Sequence, residues 1–150
     1  MRVVIQRVKK AKVLIDGREE RSIGSGMLVL AGFEEADSQE DILWLSKKIV
    51  DLRIFNDAEG VMNKSLNETG GELMVISQFT LHARTKKGKR PSYVKAAKPH
   101  IAVPLYESFL QELGRVAPHR PVSGKFGAHM EVSLVNDGPV TIIIDTKNKE

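Results

Sequence analysis

Two apolar stretches of this chain end in polar or turn-forming residues, and these interruptions constrain the fold more than any other feature. Residues 73–76 read Leu-Met-Val-Ile, which is typical of a buried strand, and residues 77–81 continue as Ser-Gln-Phe-Thr-Leu. Residues 136–141, Asn-Asp-Gly-Pro-Val-Thr, lie between the apolar segments 132–135 and 142–144. Polar groups in a buried strand lower stability unless they are hydrogen-bonded. Both segments are therefore candidate parts of a functional site, and the Gly-Pro step predicts a sharp turn.

The composition excludes several classes of protein. A length of 150 residues predicts one domain with a substantial core. The chain has no cysteine, so it can have neither a disulfide, nor a thiol nucleophile, nor a thiolate metal site. No apolar run is long enough to cross a bilayer, and strand-like alternation begins at the first residues, where a signal segment would be apolar. We therefore expect a cytoplasmic protein.

Hydrophobic periodicity predicts the order of the secondary-structure elements. Ser38 is a suitable N-cap for a first helix with one apolar face, and a second helix is expected over residues 99–116. The segment 55–70 is polar and rich in turn residues. The predicted strands are residues 2–15 (as one strand or two), 18–23, 27–33, 72–81, 122–126, 129–135 and 140–145. These elements predict one α+β domain over residues 1–150, with an antiparallel-rich, curved, barrel-like sheet and two main helices.

Alternation along the predicted strand 72–81 would place Gln78, Thr80 and His82 on one face. A nucleophilic Thr80 with His82 as its base is disfavoured, because neighbours two apart lie side by side and no third group orients the base. We expect His82 to be an exposed residue at the end of the strand. The histidines lack metal-ligand spacing, and no pair of carboxylates suggests a two-carboxylate mechanism.

A cluster of cations follows the first interrupted segment, in residues 84–90, which we call the basic loop. Its cations are Arg84, Lys86, Lys87, Lys89 and Arg90. Gly88 and Pro91 predict a mobile loop. The net charge of +4 is modest, and a solvated surface is the usual explanation of such a cluster. Because this loop adjoins the candidate site, contacts with the phosphates of a nucleic acid are favoured here.

The two interrupted segments resemble the Ser-Gln-x-Thr and Asn-x-Gly-Pro-x-Thr motifs of the D-aminoacyl-tRNA deacylase family. Residues 77–80 and 136–141 match these motifs at every position and at the family spacing. Residues 1–7, 90–93 and 124–126 are also similar to the family, and the resemblance extends over about residues 1–145. Either motif alone is a weak signal, whereas both together in a chain of this length are a strong one.

The resemblance implies the same α+β architecture and a homodimeric hydrolase without cofactor or metal. Its substrate would be the ester between the 3′ end of a tRNA and a D-amino acid, or glycine mischarged on tRNA(Ala). In the family, a cis Gly-Pro peptide enters the pocket of the partner subunit and blocks the direction of an L side chain. The matching residues here are Gly138 and Pro139. Discrimination by steric exclusion would provide chiral proofreading in translation.

The resemblance also implies roles for individual residues. The catalytic residues would be Ser77, Gln78 and Thr80, and those binding tRNA would be Lys86, Lys87, Lys89 and Arg90. The substrate-binding residues would be Arg7, Phe79, Ala102, Met130, Gly138 and Pro139, and Asn136 and Thr141 would support the Gly-Pro segment. Arg7 is expected to hold that segment by hydrogen bonds to main-chain oxygens. Packing in the hydrophobic core would account for Ala102 and Met130 nearly as well as a role in substrate binding.

Several mechanisms and functions stay open at this point. An aminoacyl ester is already activated, so its hydrolysis needs positioning, an oriented water and donors for the oxyanion. Attack by Thr80, orientation of water or carbonyl by Thr80, and assistance by the ribose 2′-hydroxyl all fit. A non-covalent route is preferred, since no base for Thr80 is visible. Two other functions are a non-catalytic RNA-binding module that uses the basic loop and Phe79, and a hydrolase of small esters or amides without a tRNA requirement.

Overall fold

The computed structural model describes residues 1–150, and its elements follow the predicted order with three additions. In chain order the strands are β1 (Arg2–Ile15), β2 (Glu19–Ile23), β3 (Gly26–Gly32), β4 (Phe55–Asn56), β5 (Met62–Lys64), β6 (Glu72–Ser77), β7 (Val122–Ser123) and β8 (Met130–Asp145). The helices are α1 (Gln39–Asp51), α2 (Leu66–Thr69) and α3 (Pro99–Val116), and a 3-10 turn spans Phe79–His82. The additions are β4, β5 and α2, which lie in the segment predicted to be irregular.

Six of the strands form one curved, barrel-like sheet around β1. One edge of β1 pairs with β3 over residues 2–8 and with β2 over residues 11–15, while β8 pairs along the other edge. These three pairings are antiparallel, and the pairings of β3 with β6 and of β6 with β7 are parallel. The predicted α+β fold class with two main helices is confirmed.

Two hydrophobic clusters lie on opposite faces of this sheet. Alternate residues of β3 divide between them: Met27 and Val29 belong to the first cluster, and Leu28 belongs to the second. Helices α1 and α3 cover the first cluster through Leu45 and Phe109, among others. Strand β3 is therefore apolar on both faces, as expected for a strand with a parallel neighbour and both faces buried.

The two main helices begin where the sequence predicts. Ser38 is the N-cap of α1, and its backbone N–H donates to the Asp41 carboxylate at 2.9 Å, which completes a capping box. Helix α3 begins at Pro99, a residue well suited to the first helical turn because its missing N–H has no intrahelical acceptor there. No helix combines the length and the apolar character that a membrane span requires.

The closing part of the sheet differs from the prediction. Strand β7 is limited to Val122–Ser123, and the two predicted strands 129–135 and 140–145 are one strand, β8. Residues 136–141 form a bulge within β8 because Asn136 stays paired with Val8 and Thr141 with Gln6. The prediction of a sharp turn between two strands was therefore wrong.

We predict that Gly26→Ala prevents the parallel pairing of β3 with β6. A Cβ at Gly26 would lie 1.9 Å from the Glu72 carbonyl oxygen, and this backbone atom cannot move aside as a flexible side chain can. We expect the free energy of unfolding to fall by about 3 kcal/mol or more in urea denaturation. Gly114→Ala is the control, because Gly114 is exposed in α3 with its nearest neighbour 3.8 Å from an added Cβ. That change should stabilise by about 0.5–1 kcal/mol, and equal effects at both positions would contradict the prediction.

Candidate active site

The first motif begins at the end of β6, where the neighbouring strand β3 also ends. Strand β3 ends at Gly32, and the Gln78 N–H donates to the Ala31 carbonyl at 2.7 Å as the last bond between the two strands. Ser77, half-buried, is the last residue of β6. The predicted strand over residues 72–81 was therefore too long, because no partner strand continues beyond this point.

The next four residues, Phe79–His82, form a 3-10 turn that we call the Thr80 turn. The Leu81 N–H donates to the Gln78 carbonyl at 3.3 Å, and the Ala83 N–H donates to the Thr80 carbonyl at 3.0 Å. The alternation expected for an extended strand does not apply to these residues. The turn instead projects the Phe79 and Thr80 side chains at the end of the sheet, with Phe79 54% exposed.

Gly32 lies directly against the Thr80 turn. A Cβ at Gly32 would be 2.8 Å from the Gln78 carbonyl oxygen and 3.0 Å from His82 Cδ2. The ring of His82 occupies space that a larger residue at position 32 would fill, and His82 is buried with no hydrogen-bond partner for Nε2. The predicted exposure of His82 was wrong, because the 3-10 turn directs this side chain toward β3.

Thr80 accepts a hydrogen bond from a neighbouring amide. Gln78 Nε2 donates to Thr80 Oγ1 at 2.6 Å, and both side chains are half-buried. This bond occupies a lone pair of the hydroxyl oxygen and leaves the hydroxyl proton free to be donated. A threonine nucleophile would instead need a base to remove that proton, and no carboxylate or imidazole is hydrogen-bonded to Thr80. The geometry favours Thr80 as a hydrogen-bond donor.

An exposed aromatic pair lies beside the turn. The rings of Phe79 and Tyr93 meet edge to face, with centroids 5.0 Å apart, although Tyr93 is 40% exposed. Sequence reasoning did not assign a role to Tyr93. A signal was present, since an aromatic residue close after a cluster of cations is typical of surfaces that bind single-stranded nucleic acid.

The basic loop is closed at its base by two backbone hydrogen bonds. The Arg84 N–H donates to the Ser92 carbonyl at 2.8 Å, and the Ser92 N–H donates to the Arg84 carbonyl at 3.0 Å. The four cations expected to bind tRNA, all exposed, are Lys86, Lys87, Lys89 and Arg90. None of these four forms an ion pair, so their charge is directed to solvent next to Phe79 and Tyr93.

The second motif is the bulge of β8, residues 136–141, which we call the Gly-Pro loop. The Gly138-Pro139 peptide bond is cis, and both residues are exposed. The Asn136 side chain spans the base of the loop: its Oδ1 accepts from the Val140 N–H at 2.8 Å, and its Nδ2 donates to Thr141 Oγ1 at 3.1 Å. The loop is thus closed by its own first residue.

Arg7 holds the Gly-Pro loop from beneath. Its side chain is buried, and Nε donates to the Asp137 carbonyl at 2.8 Å while Nη1 donates to the Ile54 carbonyl at 2.6 Å. Nη1 also contacts Asn56 Oδ1 at 3.1 Å. A buried arginine with these acceptors joins the loop to β4 and to Ile54 just before it, and each bond is charge-assisted.

Ala102 and Met130 lie in different hydrophobic clusters. Ala102 is buried in α3 in the first cluster, one turn before Tyr106, whose hydroxyl donates to the Val75 carbonyl at 2.8 Å. Burial raises the pKa of Tyr106 to about 12. Met130 begins β8 opposite Ile15 and packs against the second cluster. Their assignment as substrate-binding residues stays a prediction.

The two motifs are also separate within one chain. The Thr80 turn contacts β1 at Arg2, whose Nη1 donates to the Leu81 carbonyl, and the Gly-Pro loop contacts β1 at Arg7. These residues are five positions apart on one strand. At about 3.3 Å per residue, the adjoining backbone positions are about 17 Å apart.

Comparisons with known proteins agree with the fold. The sequence model of the D-Tyr-tRNA(Tyr) deacylase family matches residues 4–145. D-aminoacyl-tRNA deacylases of Bacteroides thetaiotaomicron and Parabacteroides distasonis are 65% and 60% identical over 150 residues, covering both chains completely. A solved c-Myc DNA Unwinding Element Binding Protein is 38% identical, with a TM-score of 0.90 over 97% of this chain and 98% of its own. A probable eukaryotic D-amino acid tRNA deacylase shares the fold, with a TM-score of 0.80 and 19% identity over 95% of this chain and 97% of its own.

We predict that Gly138→Ala displaces the Gly-Pro loop. Gly138 has φ of 145°, and an added Cβ would lie 2.8 Å from Val140 Cγ2 and 3.3 Å from Arg7 Nη2. We expect a loss of about 1–3 kcal/mol in the free energy of unfolding and faster hydrogen exchange at the Val140 amide. Gly60→Ala is the control, because Gly60 also has positive φ but an added Cβ would meet no atom within 4 Å. The prediction fails if both variants lose the same stability and the Val140 amide exchanges at the wild-type rate.

Proposed function

Because this chain belongs to the D-Tyr-tRNA(Tyr) deacylase family, we propose that it removes D-amino acids from tRNA at a site built on the Thr80 turn. The family model matches almost the whole chain, and full-length relatives of up to 65% identity are D-aminoacyl-tRNA deacylases. The chain is therefore an aminoacyl-tRNA ester hydrolase. The observation that best supports the position of the site is the 2.6 Å bond from Gln78 to Thr80 on an accessible turn.

The proposed reaction is non-covalent. Thr80 donates a hydrogen bond from its free hydroxyl to the ester carbonyl, and Gln78 fixes the orientation of that hydroxyl. The first N–H groups of a helical turn have no acceptor within the turn, so those of Phe79 and Thr80 are candidate donors to the oxyanion. The 2′-hydroxyl of the terminal ribose relays a proton from the attacking water to the departing 3′ oxygen, so the ester bond breaks as the free amino acid forms. These groups suffice for an activated ester without a metal or a nucleophilic side chain.

The site is completed by a second copy of the chain. The turn and the loop are held by arginines about 17 Å apart along β1, which supports a site that takes its Gly-Pro loop from another copy. Val135 and Ile143, on either side of the loop, are 41% and 68% exposed, an arrangement that suits burial in a homodimer. In this assembly, Gly138 and Pro139 of each copy enter the pocket of the other.

Chirality is selected by exclusion. Arg7 and Asn136 fix the loop by hydrogen bonds to its backbone, so its main-chain atoms form a rigid boundary of the pocket. An L side chain would collide with this boundary, whereas a D side chain points away from it. Glycine has no side chain to exclude, so glycine mischarged on tRNA(Ala) is also a substrate. The physiological role is chiral proofreading in translation, in the cytoplasm where charged tRNA is used.

The basic loop and the aromatic pair bind the tRNA. The exposed cations at positions 86, 87, 89 and 90 contact backbone phosphates near the 3′ end. Phe79 and Tyr93 offer an aromatic surface on which a terminal base can stack. Both surfaces adjoin the Thr80 turn, so phosphate contacts and stacking position the ester next to Thr80.

We expect the purified protein to release labelled D-tyrosine from tRNA and to leave L-tyrosine on the same tRNA, because the Gly-Pro loop excludes only the L side chain. D-tyrosine ethyl ester, assayed in parallel, should turn over far more slowly, since it lacks the phosphates and the terminal base. Equal release of both enantiomers would contradict exclusion by the loop. Rapid cleavage of the ethyl ester would favour a general esterase, and binding of tRNA without release would favour a non-catalytic nucleic-acid-binding module.

We predict that Thr80→Ala lowers kcat about 100-fold, the effect of losing one donor to the transition state, while Thr80→Ser retains most activity. Thr69→Ala is a matched control, because the Thr69 hydroxyl only bonds the backbone carbonyls of Ser65 and Leu66. Acid quenching during turnover, followed by mass spectrometry, should detect no aminoacyl adduct on the protein. An adduct at Thr80 would establish the covalent route instead.

A further inference from the structure

Arg2 joins the first motif to the last strand. Its Nη1 donates to the Leu81 carbonyl at 2.8 Å, inside the Thr80 turn. Its Nε and Nη2 donate to Asp145 Oδ2 at 3.0 and 2.8 Å. The same guanidinium group therefore contacts a backbone oxygen of the turn and a carboxylate of β8. Neither Arg2 nor Asp145 belongs to the motifs.

We propose that Arg2 is a positioning residue that fixes the Thr80 turn, and with it the Thr80 hydroxyl, in the reactive orientation. This inference rests on the proposed location of the active site in that turn. Arg2 does not touch the reacting groups, and it acts through the Leu81 carbonyl.

The turn needs such a support because it lies beyond the end of the sheet. After Gln78 no ladder bond continues along β6, and Gly32 contributes no side chain to hold the turn. The Leu81 carbonyl follows Thr80 directly in the chain, so its position limits the rotation of the Thr80 backbone. A displacement of about 1 Å at a reacting group can lower a rate about 100-fold.

Asp145 makes the support rigid. It lies opposite Arg2 in the pairing of β1 with β8, and its Oδ1 accepts from the Lys147 N–H at 2.9 Å. Burial raises the pKa of Asp145, but the hydrogen bonds from the Lys147 amide and from Arg2 outweigh it and hold the pKa below its ordinary value. The carboxylate is thus ionised at neutral pH. A planar guanidinium can bond the carboxylate and the carbonyl together, which a single ammonium group cannot do in the same geometry.

Arg21 provides a matched control elsewhere in the sheet. Its Nε and Nη2 contact Glu19 Oε1 at 2.8 and 2.6 Å, and its Nη1 donates to the Ser123 carbonyl at 2.6 Å. The side chain has nearly the same exposure as that of Arg2, 34% against 38%. Arg21 therefore makes the same set of bonds, to a carboxylate and a backbone carbonyl, without contacting the Thr80 turn.

The test compares Arg2→Gln, Arg2→Lys, Asp145→Asn and Arg21→Gln in steady-state cleavage of D-tyrosyl-tRNA. We expect Arg2→Gln to lower kcat about tenfold with KM within twofold of wild type, and Arg2→Lys to recover only part of the loss. Asp145→Asn should lower kcat in the same direction, and the double variant with Arg2→Gln should be no slower than Arg2→Gln alone. Arg21→Gln should leave kcat unchanged at a comparable loss of Tm.

Hydrogen exchange separates positioning from general destabilisation. The Ala83 amide, which donates to the Thr80 carbonyl, should exchange faster in Arg2→Gln and at the wild-type rate in Arg21→Gln. Equal loss of kcat in both arginine variants would overturn the role of Arg2 but not the location of the active site. An unchanged kcat in Arg2→Gln while Thr80→Ala is impaired would have the same meaning. Full activity in Thr80→Ala would mean that the active site is not in this turn. The proposed location of the site and the proposed role of Arg2 would then both be wrong.

Discussion

The pairing of β1 with its neighbours is the constraint on which both motifs depend. Strand β8 pairs along one edge of β1, and β3 followed by β2 pairs along the other. Arg2 and Arg7 project from this strand toward the Thr80 turn and the Gly-Pro loop, respectively. Because side chains alternate along a strand, a shift of one residue would turn both arginines away from their acceptors. The register of one strand therefore sets the geometry of both motifs.

Backbone groups, more than side chains, define the candidate site. Arg2 bonds the Leu81 carbonyl, Arg7 bonds the Asp137 carbonyl, and Asn136 bonds the backbone of Val140. In the proposed mechanism, backbone N–H groups also stabilise the oxyanion, and backbone atoms of the Gly-Pro loop exclude the L side chain. A site of this kind needs few ionisable groups, because the ester is activated and the main obstacle is misplacement of the reactants.

The sequence correctly predicts elements whose bounds depend on local pattern. It fails where the end of a strand depends on the strand that pairs with it. The capping box at Ser38 and the apolar face of α1 are local signals, and both helices were correctly predicted. The end of β6 depends on where β3 ends, at Gly32, so the strand was predicted too long and His82 was assigned to the surface. The Gly-Pro loop was mistaken for a turn between strands, since only pairing with β1 keeps both halves of β8 in line. Arg2 has no local signature because its acceptor is distant in the chain.

In the proposed function the site is divided between two copies, and the dimensions of β1 support this division. The two arginines that hold the motifs are about 17 Å apart along β1, and in the proposal one copy supplies the reactive turn while the other supplies the boundary. In this arrangement the boundary can be rigid without restricting the turn, because different arginines of different copies hold them. The pocket then needs no favourable contact with the amino-acid side chain, since it selects by collision. Such a site would accept D-amino acids with chemically different side chains at similar rates, and it would have no structural means of rejecting glycine.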